Sequence, residues 1–262
     1  MINKDSFYHI SEMVSESVNK AFETAYWNAN IGDFYLFLAR TDKNDTETSM
    51  KIPYYYESEI DELREQSRVH FLEKYINNCY SSRSFLTEDN DLTLTFELLL
   101  YMQMWGEKGF LKKLRRLTTL CEGKSYEWEV DIPKTGMYNF IGHCRTALEN
   151  NKLDIAKFIH ESYLSQIRDA TAHDEYYFTG DRIVFTNFKN KPHEIAFEKV
   201  DDWTLRFVKT FLLYYHLSKE FEKQKKSLPI CQLVPVQLKR PDGACFEGHI
   251  EYDGSRFHII TD

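Results

Sequence analysis

The chain is short of breakers. Its 262 residues include only 10 glycines and 6 prolines, a composition that fits a folded globular chain and excludes a low-complexity or disordered one. Cysteine is scarce as well. Cys79, Cys121, Cys144, Cys231 and Cys245 make an odd number, and no two stand in a CxxC pair. A disulfide framework and zinc-ribbon spacing are thereby excluded. No apolar run approaches the length needed to span a bilayer. The N-terminus, Met1 to Asp5, leads into polar residues rather than an apolar signal core. Excess positive charge is missing too: 33 Lys and Arg against 41 Asp and Glu leave a net charge of −8. Such a chain cannot coat nucleic acid non-specifically, so any nucleic-acid contact has to be local. A reducing, cytoplasmic compartment without membrane contact is the expectation.

What is present is core-forming material. The chain is 42% hydrophobic and 15% aromatic, enough for one large domain or a domain with an appendage. Phe7, Ile10, Met13, Val14, Val18, Phe22, Tyr26 and Trp27 recur at helical spacing, and residues 57–80 repeat the pattern. Between them lie a strongly apolar stretch at 31–38 and a polar loop from Arg40 to Ser49. The cluster Thr87 to Asp91 reads as a helix start, leading to an apolar helix that ends near Trp105. A second helix runs from Phe110 to Cys121 and stops at Gly123. Residues 126–132 read as extended, and Pro133 and Gly136 mark a turn. A helix from Tyr138 to Asn150 follows, and then a long one from Lys152 to Ala172.

The period then changes. Tyr176-Tyr177-Phe178 and Ile183-Val184-Phe185 flank Thr179-Gly180-Asp181-Arg182, a β-hairpin signal with Gly and Asp supplying the turn. A short strand is expected at Glu194 to Phe197 and a helix at 201–224. After Pro229 the pattern turns to β, with turns at Pro241-Asp242-Gly243 and Asp253-Gly254-Ser255, a small C-terminal meander. The expected organisation is an N-terminal helical region (1–85), a helical domain (86–226) and a β extension (227–262), mainly α in class.

One local arrangement carries chemistry. Arg168, Asp169 and His173 lie late in an amphipathic helix, ahead of the hairpin and the closing helix. An arginine, a polar residue, three more residues and a histidine in this setting resemble the signature of the HEPN superfamily, over roughly residues 90–225. Spacing alone has little weight, because Arg64 and His70 nearly match it; there, Glu65 follows the arginine and no hairpin follows the histidine. The order helix, motif, hairpin, helix is what carries the resemblance, and Ala170 and Ala172 supply its small residues.

The residue types suit metal-free RNA cleavage by the substrate's own 2′-hydroxyl. An imidazole titrates near neutrality and can move protons. A guanidinium stays charged, and its fork fits two phosphate oxygens. The resemblance implies an endoribonuclease of the toxin or anti-phage effector kind, leaving 2′,3′-cyclic phosphate and 5′-hydroxyl ends. It implies RNA as partner, no metal or cofactor, and an antitoxin or regulatory partner as a further expectation. The alternative it offers is an inactive HEPN module for dimerisation or nucleotide binding beside another protein. Asp169 would orient the arginine or position the motif.

Helical arithmetic adds a constraint. Residues five apart differ by about 140° in azimuth, so Arg168 and His173 do not share a face of a continuous helix. Either the helix breaks near Ala172 or the site needs two chains. HEPN nucleases typically use a homodimer, which is the expectation here. The bland reading pairs Arg168 with Glu161 or Glu175 and lets His173 cap the helix.

Other features are weaker. Lys112, Lys113, Arg115 and Arg116 could hold an RNA backbone or simply form a solvated face. Tyr176 and Tyr177 adjoin the motif: one could stack on a base, while one of an alternating pair faces the core. His143-Cys144, His160 and His216 read as packing or surface residues, and Lys223, Lys225 and Lys226 as cations at a helix C-terminus.

Overall fold

The computed structural model describes residues 3–43, 54–56, 59–77, 90–187, 196–239 and 243–261. Helix α1 (Lys4–Asn28) is capped by the Asn3 side chain, which accepts from the Ser6 N–H at 2.8 Å. The apolar stretch that follows is α2 (Ile31–Leu38), capped the same way by Asn30. Strands β1 (Thr41–Lys43) and β2 (Tyr54–Tyr56) pair antiparallel. Then come α3 (Glu59–Ile76), α4 (Asn90–Gly106) and α5 (Lys108–Cys121). Thr87 to Asp89 of the expected helix start, and Asn44 to Ser49 of the expected polar loop, lie outside the described residues. Residues 126–132 join no strand.

After α6 (Met137–Asn150) the single long helix expected over Lys152 to Ala172 is two helices, α7 (Ile155–Ser162) and α8 (Ser165–His173). Tyr163 and Leu164 between them are extended, with ψ of 124° and 112°. The hairpin follows as expected: β3 (Tyr176–Thr179) pairs antiparallel with β4 (Arg182–Phe185) through a turn at Gly180, φ +57°. Strand β5 (Ala196–Lys199) adds to β4; Glu194 and Ile195 of the expected strand lie outside the described residues. Helix α9 (Val200–Lys226) opens on Asp201 and Asp202 and closes on Lys223, Lys225 and Lys226, an order that complements its dipole. The C-terminal meander is present as β6 (Val234–Lys239), β7 (Cys245–Tyr252) and β8 (Phe257–Ile260).

The fold is mainly helical, and one apolar core joins all three sequence regions, from Val14 and Phe22 through Trp105 and Trp203 to Leu238 and Ile250. Helix α1 packs on α5 and α9, and α2 carries the C-terminal sheet. That last contact is close: a Cβ at Gly32 would sit 2.3 Å from the Pro235 carbonyl oxygen. Only glycine admits so near an approach of helix to strand.

Helix α3 is tied in by charge. Glu65 is buried and accepts from Lys113 and from Ser218 Oγ (2.7 Å), with Arg40 Nη1 at 2.9 Å. The Lys113 and Arg40 cations also stand over the Phe221 ring, 4.8 and 4.7 Å from its centroid. Burial alone would raise the Glu65 pKa, but the two cations and the hydrogen bonds hold it at about 2, below the ordinary 4.5. A depressed carboxylate contributes stability that is complete above the ordinary value and is lost as pH falls toward about 2. Glu65→Ala removes the carboxylate that Lys113 and Arg40 share, leaving Arg40 with Glu222 at 3.4 Å, and should cost about 3 kcal/mol. Urea denaturation should show this loss at pH 7 and a smaller difference between variant and wild type at pH 3.

Candidate active site

Helix α8 is short and held at both ends. At its start, the Tyr101 hydroxyl from α4 accepts from the Leu164 N–H (2.8 Å) and donates to the Ser162 carbonyl (3.0 Å). A tyrosine fully enclosed in the core needs such a partner, and here its hydroxyl occupies the gap between two helices. The Tyr163 ring packs edge-on against Trp105, with 4.9 Å between centroids. Asn187, just past β4, donates from Nδ2 to the Gln166 carbonyl at 2.8 Å. At the other end Asp174 is left-handed (φ 58°), and the Glu175 N–H returns to the Ala170 carbonyl at 2.9 Å. The Glu175 carbonyl then accepts from the Thr186 N–H at 3.0 Å. The hairpin thus clamps the motif helix from both sides.

Ile167, Ala170 and Thr171 form the buried face of α8. Arg168 is partly covered, its side chain 25% exposed, while Asp169 and His173 are open to solvent. Arg168 Nη1 donates to Asp169 Oδ1 at 3.1 Å. Neither alternative partner of the arginine is used: Glu161 of α7 accepts from Lys209 Nζ of α9 at 2.7 Å, and no ion pair forms with Glu175 among the described residues. Glu161 and Arg168 do not share one helix, because the chain is extended at Tyr163–Leu164. Helix α8 also continues to His173 without breaking near Ala172, so Arg168 and His173 stay about 140° apart around one axis. Within one chain they do not converge.

Three buried polar atoms on or against this helix lack a hydrogen-bond partner: Arg168 Nε, the Tyr163 hydroxyl and Asn187 Oδ1. Burial raises the Tyr163 pKa, with the Arg168 charge pulling it down and Asp169 pushing it up. Beside the break lies a cavity of about 730 Å³, whose lining includes Arg145, His160, Tyr163, Gln166, Arg206 and Lys209. Arg145 Nη1 sits 2.9 Å from His160 Nδ1; since arginine only donates, that nitrogen is the acceptor and the ring proton is on Nε2. Arg206 is held by Glu198 (3.1 Å) and the Glu161 carbonyl (2.9 Å). Tyr101, Tyr163 and these α9 cations were missed in the sequence. The signal for Tyr101 was a tyrosine in the middle of an apolar helix.

The basic cluster divides. Lys113 is buried on Glu65, and Arg116 is buried, donating to the carbonyls of Glu127 (3.0 Å) and Trp128 (3.1 Å). Arg115 pairs with Glu127 at 2.8 Å, and Lys112 is half-exposed. Lys113 and Arg116 therefore tie the fold together and are not open to an RNA backbone. Tyr176 is half-buried, stacking edge-on with Phe178 at 5.7 Å, whereas Tyr177 is the outward member of the pair. The His143-Cys144 neighbours differ in burial: His143 is exposed, and Cys144 is buried with its thiol pushed up to about 11. His216 meets Ser11 Oγ at 2.9 Å, and burial lowers its pKa to about 4. Among the described residues no three His, Cys, Asp or Glu side chains cluster as a metal site, and no helix is long and apolar enough to cross a membrane.

Compared with known proteins, the chain matches no family model, no curated protein and no solved structure.

The Tyr101 contact can be tested by itself. Tyr101→Phe leaves the Leu164 N–H without its partner and should cost about 1–3 kcal/mol. Hydrogen exchange should quicken selectively over residues 162–170; a uniform change across the chain would refute a local role.

Proposed function

We propose that this protein is a metal-independent endoribonuclease of HEPN type, with α4 to α9 as its helical bundle and the β3–β4 hairpin after the motif helix. The observation that carries the reading is the setting of Arg168, Asp169 and His173: a guanidinium paired to its neighbouring carboxylate, and a solvent-open imidazole in the last turn of a helix clamped by the hairpin. In the reaction, the 2′-hydroxyl loses its proton to an imidazole, its oxygen bonds to phosphorus, and the bond from phosphorus to the 5′-oxygen breaks as that oxygen takes a proton. Arg168 neutralises the charge gathering on the phosphate oxygens, and Asp169 fixes the plane of its fork. Base and acid are two copies of His173 in one cleft of a homodimer. Tyr177, as the outward aromatic beside the motif, replaces Tyr176 as the base-stacking candidate. The biological role that goes with this chemistry is a cytoplasmic toxin or anti-phage effector.

The alternative is an inactive module that dimerises or binds a nucleotide for a partner protein.

The purified protein should cut single-stranded RNA in the presence of EDTA, leaving 2′,3′-cyclic phosphate and 5′-hydroxyl ends. His173→Ala and Arg168→Ala should each lower the rate at least a hundredfold with an unchanged circular dichroism spectrum. Cleavage abolished by chelator would overturn the metal-free mechanism, and absence of cleavage by wild type would favour the alternative.

A further inference from the structure

The cavity beside the helix break is built like a small-molecule site. Its volume of about 730 Å³ lies within the roughly 300–1,000 Å³ typical of such pockets. Its walls come from α6, α7, the break before α8, β5 and α9. Arg168 and His173 do not line it, so it is distinct from the motif.

The charges of the lining say what the cavity can hold. Three cations, Arg145, Arg206 and Lys209, stand with two partly covered carboxylates, Glu161 and Glu198. Arg206 Nε is engaged by Glu198 at 3.1 Å, and Lys209 Nζ by Glu161 at 2.7 Å. The third acid, Asp202, is open to solvent, where water and salt screen it. Arg145 has a neutral anchor instead. Its Nη1 donates to His160 Nδ1 at 2.9 Å, which fixes the guanidinium without cancelling its charge. Arg145 Nε also lies 3.4 Å from Glu149, but that carboxylate is 51% exposed and outside the lining, and such a pair contributes little. One positive charge of the cavity is therefore left uncompensated.

Hydrogen bonding points to the same place. The Tyr163 hydroxyl and Arg145 Nε are both buried without a hydrogen-bond partner, and Tyr163 is only 8% exposed. Buried donors are normally paired, so two open ones in a single lining call for an acceptor. Tyr163 follows His160 by three residues, one helical turn on, which sets it next to the residue that anchors the guanidinium. Ile141, Leu164 and Leu205 add apolar wall, and the exposed Tyr138 ring borders it. A phosphate monoester carries about −1.5 to −2, more than the one uncompensated charge. A carboxylate carries one negative charge and two acceptor oxygens, which a guanidinium fork matches.

We infer that this cavity binds a small carboxylic acid with an apolar body, its carboxylate held by Arg145 and the Tyr163 hydroxyl. Gln166, in the first turn of α8, belongs to the same lining, so the occupant ties α6, α7 and α9 to the start of the motif helix. Calorimetric titration of the full chain with phenylpropionate should show binding, and phenylpropanol, the same body without the charge, should bind about tenfold more weakly. Arg145→Ala should weaken phenylpropionate binding about tenfold with unchanged circular dichroism. Tyr163→Phe should weaken it about threefold while leaving the Tm of the ligand-free chain unchanged or raised, because the lost hydroxyl had no partner; loss of a merely packing group would not separate the two. His173→Ala should bind phenylpropionate as wild type does, so the outcome is independent of the nuclease reading. A wild type that does not bind phenylpropionate, or an Arg145→Ala chain that binds it equally well, overturns the inference. Inorganic phosphate that binds more tightly than phenylpropionate, and depends on Arg145, overturns the assignment to a carboxylate.

Discussion

The Tyr101 hydroxyl sits where the two helices of the motif segment part. It accepts from the Leu164 N–H and donates to the Ser162 carbonyl, two backbone groups that a continuous helix would have satisfied internally. With that substitute in place the chain can run extended through Tyr163 and Leu164 and start α8 in a new direction. The partners of the charged side chains on either side follow from the new direction. Glu161 is left on the α7 side, where Lys209 takes it, and Arg168 is left with its neighbour Asp169. An arginine whose carboxylate partner is adjacent and exposed keeps a guanidinium edge for a ligand more readily than one locked into a buried pair.

The cations show the same division of labour elsewhere. Lys113, Arg116 and Arg40 look on paper like an electropositive surface, yet each is turned inward. Lys113 and Arg40 converge on Glu65 beneath Phe221, and Arg116 reaches two carbonyls of the segment after α5 beside the Tyr126 ring, 5.0 Å from its centroid. A buried ion pair is a specificity device as much as a source of stability, since a misplaced partner leaves an uncompensated charge. In this chain it fixes where α3 and the loop after α5 lie. The remaining positive charge is correspondingly local, as the acidic balance of the whole chain requires.

Periodicity made most elements legible. The spacing of Phe7 through Trp27, of Trp203 through Leu217, and of the alternating residues around Thr179-Gly180-Asp181-Arg182 reports local geometry directly, because side-chain period follows backbone period. The hairpin, the closing helix and the C-terminal meander stand where those patterns put them. The break at Tyr163 was not legible. Ala156, Ile159, Tyr163, Ile167 and Ala170 keep an apolar stripe across it, and all five are buried. A helix–break–helix that buries the same side chains leaves the same pattern as one helix, and no Gly or Pro marks the interruption. The fate of Lys113 was hidden for a related reason: its partner Glu65 lies 48 residues away.

The sequence by itself determined the helical class, the order helix, motif, hairpin, helix, and the presence of an arginine, an aspartate and a histidine on one short segment. It also determined that the arginine and histidine diverge wherever that segment is helical, because 3.6 residues per turn is a property of the backbone. Tertiary structure alone decided where the segment starts, which carboxylate Arg168 meets and which cations are consumed in the core. Those outcomes depend on contacts between residues far apart in the chain, and local periodicity carries no information about what lies across the core from a given side chain.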